Sequence, residues 1–270
     1  MLGEPFFFIQ LSDPQLGVMV AAGRIEPELG IGPEVALFES AIAEANRLKP
    51  DFVMVTGDLS HNNMDPVEVA EIKRVADGLD SGIPIYWAPG NRDTSNDAGV
   101  AVLDLIEKYR DEFGPDYHSF THKSVTFVVL SSAVIFNPSQ VPDEWESQLQ
   151  FVESELAASV ERGDDRRIVF THHPLFTDNA DEEDYGGNLP LERRRPLMDL
   201  FRKHDVSAVF GGHLHKNNYA SDGEMLMIAT SAVGMQAGDD VSGYRVVKVL
   251  GDRVEHEYYA FDSGPDRVEL

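Results

Sequence analysis

The chain has 270 residues, 42% of them hydrophobic and 26% charged, with 47 acidic side chains against 22 basic ones and a net charge of −25. These proportions exclude a disordered, collagen-like or coiled-coil chain, and so acidic a surface argues against nucleic acid or an anionic membrane as partner. With no cysteine at all, a disulfide framework, a thiol nucleophile and a cysteine-held zinc are excluded too.

The opening Met1-Leu2-Gly3-Glu4-Pro5 carries no basic stretch and no small-residue cleavage site, and no segment reaches the roughly 18 apolar residues of a membrane span. A cytoplasmic protein is expected. Residues 6–11 then read as a buried first strand, followed by a long glycine-containing loop over 17–32. Val35, Phe38, Ala41, Ile42 and Ala45 have helical spacing, with Pro33 near the start and Pro50 past the end. Strands are expected at 52–55 and 83–88, with a helix between them on Val69, Ile72, Ala76 and Leu79. Further short apolar runs lie at 125–130, 168–170 and 206–210, and Trp145, Leu149, Val152, Leu156 and Val160 mark an amphipathic helix. An irregular acidic stretch, 177–190, holds Asp178, Asp181, Glu182, Glu183 and Asp184, and Arg193-Arg194-Arg195 after it can pair with that loop or with a substrate phosphate. Three consecutive strands (225–229, 244–250 and 254–261) close the chain. The alternation predicts an α/β fold in a single domain over residues 1–270.

Polar residues collect just past the strand ends: Asp13-Pro14-Gln15, Gly57-Asp58-Leu59-Ser60-His61, Gly90-Asn91-Arg92-Asp93, His172-His173-Pro174 and Gly212-His213-Leu214-His215. Parallel strands bring such ends to one edge of a sheet. Asp, Asn and His together are an oxygen and nitrogen donor set for divalent ions such as Mn, Fe or Zn. Two ions fit better than one, because a carboxylate can bridge them. Glycines beside Asp58, Asn91 and His213 are expected to let the backbone turn sharply next to the donors.

These five segments, in this order, resemble the calcineurin-like metallophosphoesterase family, whose pattern is D-x-H, G-D, G-N-H-D/E, H-H-P and G-H-x-H. The D-P-Q opening and Thr230-Ser231-Ala232-Val233-Gly234 resemble a branch that includes serine/threonine phosphatase-like proteins. The resemblance implies a four-layer α/β/β/α sandwich of two mixed sheets. It implies a hydrolase using two divalent metal ions (Mn, Fe, Zn or Mg) and a hydroxide held between them. Asp13 and His215 would hold one ion, Asn91, His172 and His213 the other, and Asp58 would bridge.

Two departures from the pattern matter. Gln15 stands where the family has a ligand histidine; a neutral amide oxygen there predicts a weaker first site that favours Mn, Mg or Fe over Zn, or a residue that supports the site from behind. Arg92 replaces the histidine that contacts phosphate and protonates the leaving group. Arginine can hold a phosphoryl oxygen but cannot give up a proton near neutral pH; His61 and His173 are the candidates to supply that proton. Three functions are consistent with these residues. The leading one is a phosphomonoesterase acting on a phosphorylated small molecule or phosphoprotein. The others are a phosphodiesterase for cyclic nucleotides or glycerophosphodiesters, and a binding protein weakened in catalysis by Gln15 and Arg92.

Overall fold

The computed structural model describes residues 3–270, so Met1 and Leu2 of the opening segment lie outside the described residues. From β1 (Phe6–Leu11) the chain passes through a short helix α1 (Val18–Ala21) to α2 (Gly32–Leu48), β2 (Val53–Thr56), α3 (Pro66–Ala76) and β3 (Ile85–Ala88). Next come α4 (Asn91–Thr94), α5 (Leu103–Phe113), β4 (His118–His122), β5 (Val125–Val129), α6 (Ser132–Phe136), α7 (Pro142–Arg162) and β6 (Arg166–Phe170). The last part holds α8 (Leu191–Lys203), β7 (Val206–Gly211), β8 (Asn218–Asp222), β9 (Met225–Ala229), β10 (Gly243–Val249) and β11 (Val254–Ala260).

Two mixed sheets result, with strand orders β11-β10-β1-β2-β3 and β4-β5-β6-β7-β9-β8. β1 shows why they stack. All six of its residues are buried, and successive side chains of a strand point to opposite faces. Phe6 and Phe8 enter a layer with Phe52, Phe127, Phe170 and Phe210 between the sheets. Phe7, Ile9 and Leu11 face the other way, onto Phe38, Ala41 and Ile42 of α2 and Ile72 of α3. On the far side, Val128, Val169 and Val209 of the second sheet pack on Val152 and Leu156 of α7 and on Leu197, Met198 and Phe201 of α8. The layers therefore run α/β/β/α, as expected. The Phe8 and Phe52 rings stack at 4.8 Å, and each fully buried ring of this kind contributes on the order of 2–3 kcal/mol.

Some expectations shift. The loop over 17–32 contains α1 and a 3₁₀ turn at Pro27–Leu29. The third strand starts at Ile85 rather than at residue 83, because Pro84 has no N–H to add to a ladder. The late run of strands is shared out: β9 lies parallel to β7 in the second sheet, while β10 runs antiparallel to β1 in the first. β4, β8, α5 and α8 were not among the expected elements. β1, β2, β3, β6 and β7 all end at one edge, and there the five polar segments meet.

Candidate metal centre

Seven predicted donors converge at that edge, and the backbone beneath them is unusual. Asp13, Gln15, Asp58, His213 and His215 have positive φ angles of 49°, 38°, 48°, 67° and 53°. Non-glycine residues adopt this region at a cost of about 1 kcal/mol or more, and such strain persists where neighbours enforce it. Here the Asp13 N–H donates to Gly57 O at 3.1 Å and the Gln15 N–H to Asp58 O at 2.9 Å. The expectation about glycine holds for Gly57, whose φ is +85°, but Gly90 and Gly212 serve another purpose. A Cβ on Gly90 would sit 2.1 Å from Asp58 Oδ1, and one on Gly212 would sit 1.8 Å from Ser12 Oγ. Gly90 lets the ends of the neighbouring strands β3 and β2 touch, and Gly212 lets the end of β7 in the second sheet touch the end of β1 in the first.

The polar atoms facing one another are nearly all acceptors. A carbonyl oxygen only accepts, so His172 Nδ1, 2.9 Å from Thr56 O, must donate, which leaves the lone pair on Nε2. By the same argument His213 donates from Nε2 to Gly186 O at 2.7 Å, leaving the lone pair on Nδ1. Those two bare nitrogens stand 3.2 Å apart. Asn91 Oδ1 is 3.1 Å from His172 Nε2 and Asp58 Oδ1 is 3.4 Å from it. On the other side His215 spends Nδ1 on Met235 O and turns Nε2 to Asp13 Oδ1 at 3.4 Å. Asp13 Oδ1 and Gln15 Oε1 are buried without a hydrogen-bond partner. Asp13, Asp58 and His215 each bring a ligand-type atom within 4.8 Å of the others. Lone pairs crowded this way repel unless a cation lies among them, so the donor set fits divalent ions.

The electrostatics agree. Burial and then the Asp13 charge push the Asp58 carboxyl up to about 6. Burial also raises Asp93, helped by the Asp58 charge, to about 7. Asp13 goes the other way: burial alone would raise it, but His172 and His215 hold it below the usual carboxylate range.

Residues 8–217 match the family model described as calcineurin-like phosphoesterase. The chain belongs to that family. It is a metal-dependent phosphoester hydrolase. It is 35% identical over 272 residues to the serine/threonine-protein phosphatase CPPED1 of Danio rerio, covering 97% of this chain and 87% of that protein. The human protein of the same name is 34% identical over 269 residues, covering 96% of this chain and 85% of its own length. Among solved structures, a purple acid phosphatase from yellow lupin superposes with a TM-score of 0.68 at 15% identity, over 97% of this chain and 52% of that one. A dimetal phosphatase from Danio rerio superposes with a TM-score of 0.64 at 15% identity, over 95% and 100%. At such identities these two structures establish the shared fold.

Within this calcineurin-like phosphoesterase the remaining predicted residues part ways. Arg92 is the second residue of α4, its N–H donates to Asp58 Oδ1 at 2.8 Å, and its partly exposed guanidinium has Asp97 at 3.9 Å. His61 is half-buried, and its Nδ1 is without a partner. Burial and then the Arg92 charge hold its imidazole below the usual range. His173 lies deeper than His61. Only 2% exposed, it stacks on Phe136 at 4.9 Å and bonds Ser132 Oγ through Nδ1. Burial, with His213 and His172 nearby, lowers its imidazole well below the usual range. Arg194 is fully buried and donates to Leu175 O at 3.0 Å and to Glu182 O, pinning the acidic loop from beneath.

Three supporting residues carried no expectation of their own. Asp93 accepts from the N–H groups of Leu59 (3.0 Å), Ser60 (3.3 Å) and Gly90 (2.7 Å), locking the Asp58 turn to the Asn91 turn. Its place as the last residue of Gly-Asn-Arg-Asp is the signal that could have found it. Ser12 and Thr56 sit directly before or beside predicted donors, but nothing in their own residue type marks them.

Proposed function

We propose that this chain is a two-ion phosphomonoesterase. In this reading Asp13, Gln15 and His215 face one divalent ion and Asn91, His172 and His213 the other. Asp58 lies between the two. The observation that carries it is the concentration of acceptors, above all two imidazole lone pairs 3.2 Å apart beside the unpartnered Asp13 Oδ1. When bound, the ions supply charge neutralisation for the phosphoryl group and water of lowered pKa. The protein's own groups do the rest. Thr56 O and Gly186 O fix the tautomers of His172 and His213. Arg92, at the open side, holds a phosphoryl oxygen through its fork of donors. With His173 buried, His61 is the remaining imidazole able to reach a leaving group.

The substrate is a phosphorylated small molecule or a phosphoprotein. The names of the CPPED1 relatives support the second choice. The acidic loop also supports a phosphopeptide in basic surroundings over a polyanion: it touches the centre through Gly186 O and His213. Nucleic acid and membrane are not partners in this reading, and the cytoplasm is its location. No described helix is long and apolar enough to cross a membrane. Among the candidate ions Mn, Mg and Fe suit the Gln15 side better than Zn.

A diesterase reading has one observation in its favour. The Rhodococcus erythropolis protein named "probable cyclic nucleotide phosphodiesterase" is 27% identical over 264 residues, covering 93% of this chain and 82% of its own. Turnover of p-nitrophenyl phosphate against its bis ester, after loading with Mn, Fe, Zn or Mg, separates them. The monoester should turn over faster. Faster cleavage of the bis ester would transfer the assignment to the diesterase, and no turnover with two ions bound would leave a binding protein.

A further inference from the structure

Behind the metal centre lies a file of buried polar side chains that begins at Arg245, in the middle of β10. Arg245 is fully buried, yet its donors go to neutral groups. Nη1 donates to His256 Nδ1 at 3.0 Å, and Nη2 donates to Asn217 Oδ1 and to Tyr219 OH at 3.2 Å. The rings of Tyr219 and Tyr258 flank the guanidinium at 5.1 and 5.6 Å. The remaining donor, Nε, reaches Thr230 Oγ1 at 2.7 Å.

From Thr230 a continuous line of contacts leads to the centre. Thr230 Oγ1 lies 2.7 Å from Gln10 Oε1, Gln10 Nε2 lies 3.0 Å from Thr56 Oγ1, and Thr56 Oγ1 lies 3.0 Å from Ser12 Oγ. Ser12 Oγ ends the line 2.5 Å from Asp13 Oδ2. Gln10, Ser12, Thr56 and Thr230 are all fully buried.

Only one direction of donation satisfies every link. A guanidinium can only donate, so Thr230 accepts from it and must pass its own proton to Gln10. Gly211 O, 2.9 Å from Gln10 Nε2, can only accept, which independently fixes the same end of the amide as the NH₂. Thr56 therefore accepts from Gln10 and has one proton, for which Ser12 Oγ at 3.0 Å lies nearer than Leu11 O at 3.2 Å. Ser12 spends its proton on the Asp13 carboxylate, at a length typical of a charge-assisted bond. Oδ2 also takes the His213 N–H at 3.0 Å. Both short donor contacts thus fall on Oδ2, and Oδ1 is left to face the His215 imidazole at 3.4 Å.

We propose that Arg245 is a positioning residue for the metal centre: its guanidinium sets the direction of a hydrogen-bond chain through Thr230, Gln10, Thr56 and Ser12 that fixes the Asp13 carboxylate with Oδ1 presented to the ion. The inference rests on the reading of Asp13 as an ion ligand. If the chain were only a way of satisfying buried polar atoms, breaking it would lower stability and leave ion binding alone.

Thr230→Val removes the relay hydroxyl at nearly constant shape, and Thr230→Ser keeps it. Mn²⁺ binding to the metal-stripped full chain is titrated by calorimetry and by electron paramagnetic resonance, with the melting temperature in EDTA recorded alongside. Thr230→Val should raise one of two dissociation constants by roughly tenfold, the range found when support of a ligand is lost, and leave the other within about twofold. Thr230→Ser should restore it. Arg245→Met should reproduce the Thr230→Val effect, while Tyr219→Phe, which removes an Arg245 contact outside the chain, should not. If Thr230→Val melts earlier but binds two Mn²⁺ with the parent's constants, the positioning role is overturned and the metal reading stands. If the parent takes up no Mn²⁺, the metal reading falls first and this inference with it.

Discussion

Two edges of this molecule are lined with charge, and they treat it in opposite ways. At the edge where β6 and β7 begin, a cleft of about 800 Å³ is lined by Arg166, Arg167, Arg202 and Arg253 together with Asp165, Asp222 and Asp252. Its cations all have acceptors, Arg166 through Gly251 O at 3.4 Å. Arg202 grips Asp222 at 2.7 and 3.0 Å, Arg253 reaches Asp252 and Glu255, and Arg167 donates to Ser159 Oγ and Asp164 O. At the other edge carboxylates, amide oxygens and bare imidazole nitrogens crowd together with too few donors, and Asp13 Oδ1 and Gln15 Oε1 are left without one. Volume marks the first edge and unmet demand marks the second. Unmet demand is the better guide to chemistry, because a surface that has satisfied its own charges gains little from a ligand.

The sharpest test of that contrast is Asp58→Asn. Phosphatase activity should fall by more than about 100-fold, since even a residue supporting a metal ligand costs 10–100-fold. The metal-free protein should become more stable. Its folded-state carboxyl, raised to about 6 by burial and by Asp13, favours the fold below the unfolded value near 4 and loses that advantage as pH rises through 6. At pH 7.5 in EDTA the variant should gain about 1–3 kcal/mol, and the gain should vanish below pH 4. A loss of metal-free stability at pH 7.5 would mean that the acceptors are not in conflict.

Next in size is Arg92→His. General-acid help is worth about 10²–10⁴ in rate where the leaving group needs it. The variant should therefore improve on alkyl phosphates by 10-fold or more and change little on aryl phosphates, measured as kcat on each. Equal effects on both would place Arg92 outside leaving-group chemistry.

Gln15→His should have a smaller effect, confined to one ion. Imidazole is the softer donor, so Zn²⁺ should bind the Asp13 side about tenfold more tightly. The variant also removes the Gln15 Nε2 bond to Asp58 Oδ2, 3.2 Å in the parent. Unchanged Zn²⁺ affinity on both sides would mean that Gln15 supports the site without facing an ion.

How much of this was legible in sequence depended on range. The polar cluster was legible because its segments follow short apolar strands, and three of its members, Asp58, Asn91 and His213, sit next to glycine, so local pattern and chemistry coincide. β1 was legible as an apolar run, interrupted only at Gln10, buried on both faces. β4 and β8 were not: His118–His122 has a single apolar residue, Phe120, and Asn218–Asp222 is largely polar, since edge strands bury too little to show a period. Arg194 was read with its two neighbours as pairing with the acidic loop or a substrate phosphate, and only the fold shows that the middle one meets the loop from a fully buried position. The Arg245 chain was beyond reach altogether. Its links join residues as far apart as Gln10 and Thr230, and no local property of a serine or threonine reveals which oxygen it serves.

The smallest expected effect tests the matched edge. Arg202→Ala removes a two-point grip on Asp222, but Arg202 is about half exposed, with a side-chain exposure of 48%. Exposed pairs contribute about 0–1 kcal/mol once solvent screens them. Its helix also keeps Leu197, Met198 and Phe201 in the core. Melting temperature should therefore move by a few degrees at most, and kcat and KM on p-nitrophenyl phosphate should match the parent. A large change in KM would show that the arginine-lined cleft communicates with the donor-lined edge across the full length of β6 and β7, and the division between a satisfied edge and a demanding one would have to be abandoned.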